Sequence, residues 1–304
     1  MRILVTGRAI PTQPDRCTGQ QLAEGFRQAG HECVFYGCFY GEQHNFLGVK
    51  EVQGADFDLV VVTEMNDGMP GYEALFNYYK LKDVPRIYWD FDVSYHKELS
   101  MRRASMIHYD GYLVGNRHFV DEFADRFKSP SLHLAYACSP QIHRRKPEIA
   151  KQDLVGFIGS MTSERKAMLG DVNCVEGVFG EGLIDATNRL HTMVHVNQDA
   201  CKGLVPGRPW ETAGCGTNLL MDRASYDDFK LFLPEHLHGE GVKVFESKQD
   251  IEGYVNFWES TPQTTRDDAL EGFGRRLMDY VHTNHSYKNR AESIVTWVKE
   301  QKIL

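Results

Sequence analysis

The chain has 304 residues, a length that predicts two domains rather than one small core. Its 42% hydrophobic and 25% charged residues are typical of a globular protein, and a formal net charge of -8 disfavours nonspecific attraction to nucleic acid or anionic membranes. The sequence contains no run of about 18 apolar residues, so we expect no membrane segment. Seven scattered cysteines without CxxC spacing disfavour a disulfide framework or zinc site and favour the reducing cytoplasm.

The first half of the chain alternates short apolar runs with helical patterns. The apolar runs lie at residues 2–6, 33–36, 58–63, 86–90, 111–115 and 132–136. This order predicts a parallel, doubly wound α/β sheet with helices on both faces. Ligands in such sheets bind at the carboxyl ends of the strands, which draws attention to the polar residues Glu64, Asp90, Asp92, His96 and Asn116. The loop after the first strand lacks GxGxxG, which disfavours NAD or FAD.

The polar stretch at residues 139–151 is predicted to be a linker. After it, the alternation of apolar runs with helical patterns restarts. Strands are predicted at 153–159, 193–196, 218–221 and 243–246, an element at 177–180, and helices at 267–282 and 287–298. We therefore predict an N-terminal domain at residues 1–145 and a second α/β domain at 152–285. A final helix at 286–304 is expected to pack back toward the N-terminal domain.

The stretch from Asn197 to Asp222 combines a Gly- and Pro-rich loop with a short helix. Pro209 is predicted as the first helical residue, and Glu211 follows within the first turn. A helix N-terminus attracts anions through its unpaired N–H groups and its dipole, and a carboxylate nearby can accept hydrogen bonds from hydroxyls. The pattern favours a nucleoside diphosphate as ligand, with an ordinary loop–helix–strand connection as the alternative.

Several motifs in the second half resemble one enzyme family. They are VGFIGSMTSERKAML (155–169), GRPWETAGCGTNLLMD (207–222), LAYACSPQIH (134–143), VFGEG (178–182), residues 243–251 and the final HSYKNRAESIV (285–295). In this order they resemble glycosyltransferases of the GT-B fold, most closely the CgeB-like branch related to the retaining family-4 enzymes, over roughly residues 130–300. The resemblance implies two Rossmann-like domains facing a cleft, with the acceptor bound by the first and a nucleotide-sugar donor, of the UDP type, by the second.

The resemblance also implies roles for individual residues. Glu211 matches the glutamate that binds the ribose hydroxyls. Gly159, Ser160 and Arg165 match the loop that holds the diphosphate, which Arg208 and the backbone of Gly207 would also approach. Cations and N–H groups can stabilise the leaving diphosphate, so the resemblance implies transfer without a metal ion and without a cofactor beyond the nucleotide-sugar co-substrate.

The match departs from the family at one position. Family-4 enzymes usually carry a second glutamate eight residues before the ribose-binding one, and this chain has Gly203 there. Candidates for acid–base work come instead from the N-terminal half, where His96 follows Asp90 and Asp92 after a predicted strand. Either aspartate could instead cap the following segment.

The acceptor stays open at this point. A glycan, a protein, a small molecule, or a hydroxymethylated pyrimidine in viral duplex DNA (with the host cytoplasm as location) would all supply a hydroxyl. Two basic runs, at 102–103 and 143–146, favour DNA, and solvated surfaces are the alternative. Rival functions are a nucleotide-sugar epimerase or phosphorylase of the same fold, or a binding module that has lost catalysis.

Overall fold

The computed structural model describes residues 1–9, 17–39, 46–47, 52, 56–63, 84–91, 93–94, 96–105, 107–197 and 202–304. The chain divides into two compact units. Unit 1 consists of Met1–Tyr136 together with Ser286–Leu304, and unit 2 consists of Ala137–His285. The chain therefore passes from one unit to the other twice.

Unit 1 is built on one twisted sheet. In the described part of the chain its strands are β1 (Arg2–Ala9), β2 (Glu32–Phe39), β3 (Phe46–Leu47), β4 (Leu59–Thr63), β5 (Arg86–Asp90), β6 (Gly111–Val114) and β7 (Ser131–His133). Their order is β3-β2-β1-β4-β5-β6-β7, and neighbours pair in parallel except β3, which runs antiparallel to β2. The described α-helices within residues 1–136 are α1 (Thr18–Gln28), α2 (Lys97–Ser105) and α3 (Val120–Phe127).

The core of unit 1 explains why its strands read as continuous apolar runs. All of β4 and all but the first residue of β5 are buried, because helices cover both faces of a doubly wound sheet. Three tyrosine rings pack together in this core. Tyr88 of β5 stacks on Tyr109 at 5.2 Å between centroids, and Tyr112 of β6 meets Tyr109 edge-on at 5.7 Å.

Unit 2 has a smaller, fully parallel sheet. Its described strands are β8 (Asp153–Ile158), β9 (Asn173–Val175), β10 (Leu190–His195), β11 (Asn218–Asp222) and β12 (Val242–Phe245), in the order β12-β11-β10-β8-β9. The helices are α4 (Ser163–Leu169), α5 (Glu181–Arg189), α6 (Gly207–Gly214), α7 (Arg223–Phe229), α8 (Lys248–Ser260) and α9 (Gln263–Asn284). The strand order reverses between β8 and β10, the place where doubly wound sheets bind ligands.

The last helix, α10 (Tyr287–Glu300), packs against α1 in unit 1. Gly25 permits this close approach, since a Cβ at that position would lie 2.4 Å from the carbonyl oxygen of Tyr287. The indole of Trp297 covers Gly111 at the start of β6, and a Cβ there would lie 2.6 Å from the ring. Any side chain at either glycine would therefore push α10 away from unit 1.

The two-domain, doubly wound α/β class predicted from the sequence is confirmed, with three local corrections. Residues 177–180 form a loop, and the strand of that region is β9 at Asn173–Val175. Pro209 is the third residue of α6 and not the first. It is still tolerated, because the first four N–H groups of a helix have no partner within the helix. Residues 139–151 pack within unit 2, where His143 is 1% exposed, and are not a free linker.

Within the described residues, every helix is too short or too polar to span a lipid bilayer.

Candidate functional site

The candidate site lies at the carboxyl ends of β8 and β10, on either side of the point where the strand order of unit 2 reverses. Gly159 and Ser160 directly follow β8, and the N–H of Gly159 donates to the carbonyl of Val175 at 3.1 Å. Ser160 is exposed. The two predicted diphosphate-loop residues thus stand at the edge of the sheet where a ligand of this fold binds.

Arg165, in the first turn of α4, bridges the two strand ends. Its Nη1 donates to the carbonyl of Ser160 at 2.9 Å, and its Nε donates to the carbonyl of Val196, just after β10, at 3.1 Å. The guanidinium also lies 5.5 Å from the ring centroid of Phe157. These contacts hold a positive charge across the reversal point while leaving the side chain half-buried.

Helix α6 brings the second group of predicted residues to the same edge, because it follows β10 along the chain. Its N-cap is Pro206. Pro206 and Pro209 have no N–H, so among the N-cap and the first three helical positions the donors come from Gly207 and Arg208. The geometry therefore supplies two adjacent N–H groups and one guanidinium for an anion at this helix start.

Glu211 stands one turn further along α6 and is paired with Arg208. Nη1 of Arg208 lies 2.9 Å from Oε2 of Glu211, and the two side chains are 26% and 22% exposed. The two groups are not aligned as a hydrogen bond, and this buried Nη1 has no hydrogen-bond partner among the described residues. The carboxylate predicted to bind ribose therefore forms an ion pair with the cation predicted to bind diphosphate.

His195, the last residue of β10, is a site residue that sequence reasoning missed. Its ring is 6% exposed, and Nε2 is buried without a hydrogen-bond partner in the described part of the structure. Burial lowers the pKa of His195 to about 4, against the opposing effect of Asp222, and Arg165 and Arg208 lower it further. The imidazole is therefore neutral at pH 7, and it lies one residue before Val196, whose carbonyl accepts the hydrogen bond from Arg165.

His143 lies on the other side of α6. Its Nδ1 accepts a hydrogen bond from the N–H of Ser139 at 2.9 Å, which puts the proton of the neutral ring on Nε2. Burial lowers the pKa of His143 to about 4; Glu211 opposes that shift, and Arg208 adds to it. Gly214 allows His143 to lie close to α6, since a Cβ at position 214 would lie 3.0 Å from Cβ of His143.

The candidates in the N-terminal half separate into buried and exposed groups. Asp90, at the end of β5, is 3% exposed, and its carboxylate accepts hydrogen bonds from the hydroxyls of Ser100 at 3.2 Å and Tyr88 at 3.3 Å. His96 is exposed and directly precedes α2, where its carbonyl accepts from the N–H of Ser100 at 2.8 Å. The structure thus links Asp90 and His96 through Ser100. Asp92 and Glu64 lie outside the described residues.

One family of proteins, described as glycosyl transferase-like, matches residues 142–296, over half of the chain. The chain belongs to the glycosyl transferase-like family. The matched region includes all the predicted donor-side residues and stops short of the candidates in the N-terminal half. No curated protein sequence matches the chain significantly.

Solved structures similar to this glycosyl transferase-like chain cover nearly its whole length. T4 phage β-glucosyltransferase has a TM-score of 0.62 at 12% identity, covering 99% of this chain and 99% of that chain. Anabaena HepE, solved with UDP-glucose, has a TM-score of 0.59 at 10% identity, covering 97% and 99%. An α-glucosyltransferase solved with UDP and DNA has a TM-score of 0.54 at 11% identity, covering 100% and 99%. Family and fold together make this chain a GT-B glycosyltransferase.

A separate cavity of about 500 Å³ lies at the other end of the unit 2 sheet. The beginnings of β8 and β9 and the outer face of α8 line it, and it shares no residue with the predicted donor side. The strand-end rule and the positions of the two arginines both favour the carboxyl edge as the functional site, and the volume of this cavity does not alter that assignment.

Proposed function

We propose that this glycosyltransferase moves a sugar from a nucleoside-diphosphate sugar, of the UDP type, to a hydroxyl group. The observation that carries the proposal is the position of two arginines at the carboxyl edge of the unit 2 sheet: Arg165 lies across the ends of β8 and β10, and Arg208 lies in the first turn of α6, which follows β10. Two cations at the reversal point of a doubly wound sheet, next to two free N–H groups, suit a diphosphate. Glu211, on the same helix face as Arg208, suits the ribose hydroxyls.

Isothermal titration with UDP and the other nucleoside diphosphates tests the donor site. Hydrogen bonds to charged groups contribute about 1.5–3 kcal/mol, so Arg165→Gln and Glu211→Gln should each weaken binding roughly 10- to 100-fold. Glu259→Gln is the matched control, because that acid is exposed on α8, away from the strand ends. Absence of nucleotide binding, or equal affinity in all four proteins, would contradict the proposal.

The transfer is proposed to need no metal ion. Arg165, Arg208 and the N–H groups of Gly207 and Arg208 can neutralise the charge that develops on the leaving diphosphate. UDP affinity and donor turnover should therefore be the same in EDTA and in added Mg²⁺. A strict requirement for Mg²⁺ in donor turnover would refute this part of the proposal.

We propose that His96 contacts the transferred sugar or acts as the acid or base, with Asp92 as the second candidate. Asp90 is buried, and its bond to Ser100 favours a role in fixing the start of α2 beside His96. His96→Ala should lower kcat at least 10-fold while leaving UDP affinity unchanged. Loss of UDP affinity in parallel with kcat would show instead that His96 supports folding or donor binding.

The acceptor is proposed to be a hydroxyl of a glycan, a small molecule or hydroxymethylated DNA. The structure weakens one of the two basic runs as support for DNA. His143 is buried, and Lys146 pairs with Asp185 at 2.6 Å and with Glu181. Arg144 in that run and Arg102 on α2 are the exposed arginines of the two runs. Sugar transfer to hydroxymethylated duplex DNA, with unmodified DNA as control, would establish that acceptor, and salt-insensitive or absent binding would remove it.

We also infer kinship with the CgeB-like branch and the family-4 enzymes from the ordered motifs of residues 134–295. Gly203 has a φ of +86°, and its N–H donates to Asp228 at 2.6 Å. A glutamate at this position would therefore be strained, so the transferred sugar must be held by other groups. An epimerase of the same fold would consume donor without any acceptor, and a binding module would consume none, so donor turnover with and without acceptor separates the three functions.

A further inference from the structure

The Arg208–Glu211 pair joins two groups that the proposed function assigns to different parts of one ligand. Arg208 is placed to meet the diphosphate, and Glu211 is placed to meet the ribose. Their side chains lie 2.9 Å apart on the first turns of α6 and are about three-quarters buried. Oε2 of Glu211 and Nη1 of Arg208 therefore face each other, and a ligand that contacts either atom competes with this ion pair.

Arg208 is the cation that neutralises Glu211 in this part of the site. Two titratable groups that feel the charge of Glu211 are His143 and Cys215, and burial keeps both neutral at pH 7. Burial lowers the pKa of His143 to about 4 and raises that of Cys215 to about 12. Neither can replace Arg208 as the partner of the carboxylate.

The backbone at the start of α6 supplies further groups that can bind an anion beside the Arg208 side chain. Its own N–H and that of Gly207 are the donors at the start of α6, because Pro206 and Pro209 have none. A diphosphate bound at these N–H groups would lie beside the Arg208 side chain. The guanidinium can then turn from Glu211 to the phosphate oxygens, where charge and bidentate geometry favour it.

We infer that Arg208 is a specificity-determining residue that masks Glu211 until a diphosphate draws it away. The inference rests on the proposed donor site and deepens it. A bare nucleoside can offer hydroxyls to Glu211 only by competing with the guanidinium. A nucleoside diphosphate supplies the anion that separates the pair and thereby frees the carboxylate for its ribose. The pair thereby discriminates against nucleosides that lack a diphosphate.

The test compares uridine with UDP in wild type and Arg208→Gln, by ligand-observed NMR titration for the weak ligand and calorimetry for the strong one. Removal of Arg208 should weaken UDP binding at least 10-fold but strengthen uridine binding about two- to fivefold, the range that corresponds to a partly exposed ion pair. Uridine is uncharged, so its gain cannot come from a general change of potential. If wild type prefers another base, the corresponding nucleoside and diphosphate replace this pair.

Two further variants isolate the effect. Arg165→Gln should weaken UDP binding without changing uridine affinity, because Arg165 contacts the carbonyls of Ser160 and Val196 and not Glu211. Arg208→Lys keeps a cation beside Glu211 and should bind uridine about as weakly as wild type does. Thermal unfolding verifies that each variant is folded.

The outcomes are separable. Uridine affinity that is unchanged or lower in Arg208→Gln, while UDP binding falls, would overturn the masking role and leave the donor site intact. Failure of wild type to bind any nucleoside diphosphate would overturn the proposed function itself. Tighter uridine binding in Arg208→Gln, and not in Arg165→Gln, supports the inference.

Discussion

Acidification from pH 7 to pH 5 should destabilise this protein through three buried histidines, His143, His191 and His195. Each is at most 6% exposed. Burial is the main cause that lowers the pKa of each to about 4, compared with about 6.5 for an exposed histidine. Between these values the unfolded chain binds a proton that the folded protein does not. The free energy of unfolding therefore falls as the pH falls through this window, and the stabilisation is complete above about pH 6.5.

The size of the effect follows from the two pKa values. A group that titrates near 4 when folded and near 6.5 when unfolded loses roughly 2 kcal/mol of stability between pH 7 and pH 5. Replacing such a histidine by asparagine removes its share of the pH dependence, whatever it does to stability at either pH alone.

Urea unfolding at pH 7 and pH 5 measures this share. The difference in unfolding free energy between the two pH values should shrink by roughly 2 kcal/mol in His195→Asn relative to wild type. The control is His236→Asn, because His236 is exposed and its replacement should leave the difference unchanged. An unchanged pH dependence in His195→Asn would refute the assignment of a buried neutral imidazole at the end of β10.

Three further predictions concern unit 2. Trp210→Ala should cost about 3–5 kcal/mol by denaturant unfolding, because the fully buried indole packs on Phe229 at 4.7 Å between centroids; a loss below 1 kcal/mol would show that the site repacks. Gly203→Ala should cost about 1–2 kcal/mol and lower Tm by several degrees, because its φ is +86°, whereas Gly182→Ala in α5, with open space around it, should be neutral or stabilising. Burial raises the pKa of Cys215 to about 12, so a thiol reagent at pH 8 should label this cysteine only after unfolding. Rapid labelling of Cys215 in the native protein would contradict its burial.

The sheet strands were largely predictable because strands buried on both faces read as continuous apolar runs. The run at 86–90 coincides with β5, and the run at 153–159 is β8 plus one residue. Asn173–Val175 lacks such a run because this edge strand is short and partly exposed, so the sequence does not predict it. The edge strand β12 does carry an apolar run and agrees closely with the predicted 243–246.

The sequence predicted those site residues whose role follows from their place at a helix start or a strand end. Arg208 and Glu211 lie in the first turns of α6, as the loop–helix pattern indicated. Their mutual pairing was not predicted, although their i, i+3 spacing allows it. His195 could not be found from sequence, because its pKa is lowered mainly by burial, with smaller contributions from Arg165, thirty residues earlier, and from Arg208. The sequence shows only a histidine at the carboxyl end of an apolar strand. Its burial and its charged neighbours come from long-range contacts, which the local sequence does not reveal.

The return of α10 to unit 1 has a consequence for the order in which the protein is made. Residues 1–136 leave the ribosome before α10, which packs against α1 around Gly25 and covers the start of β6 with Trp297. Unit 1 must therefore wait, with apolar surface exposed, while all of unit 2 is synthesised. A chain truncated before residue 286 should therefore bind chaperones and be cleaved by proteases within unit 1, although it contains every residue of unit 2.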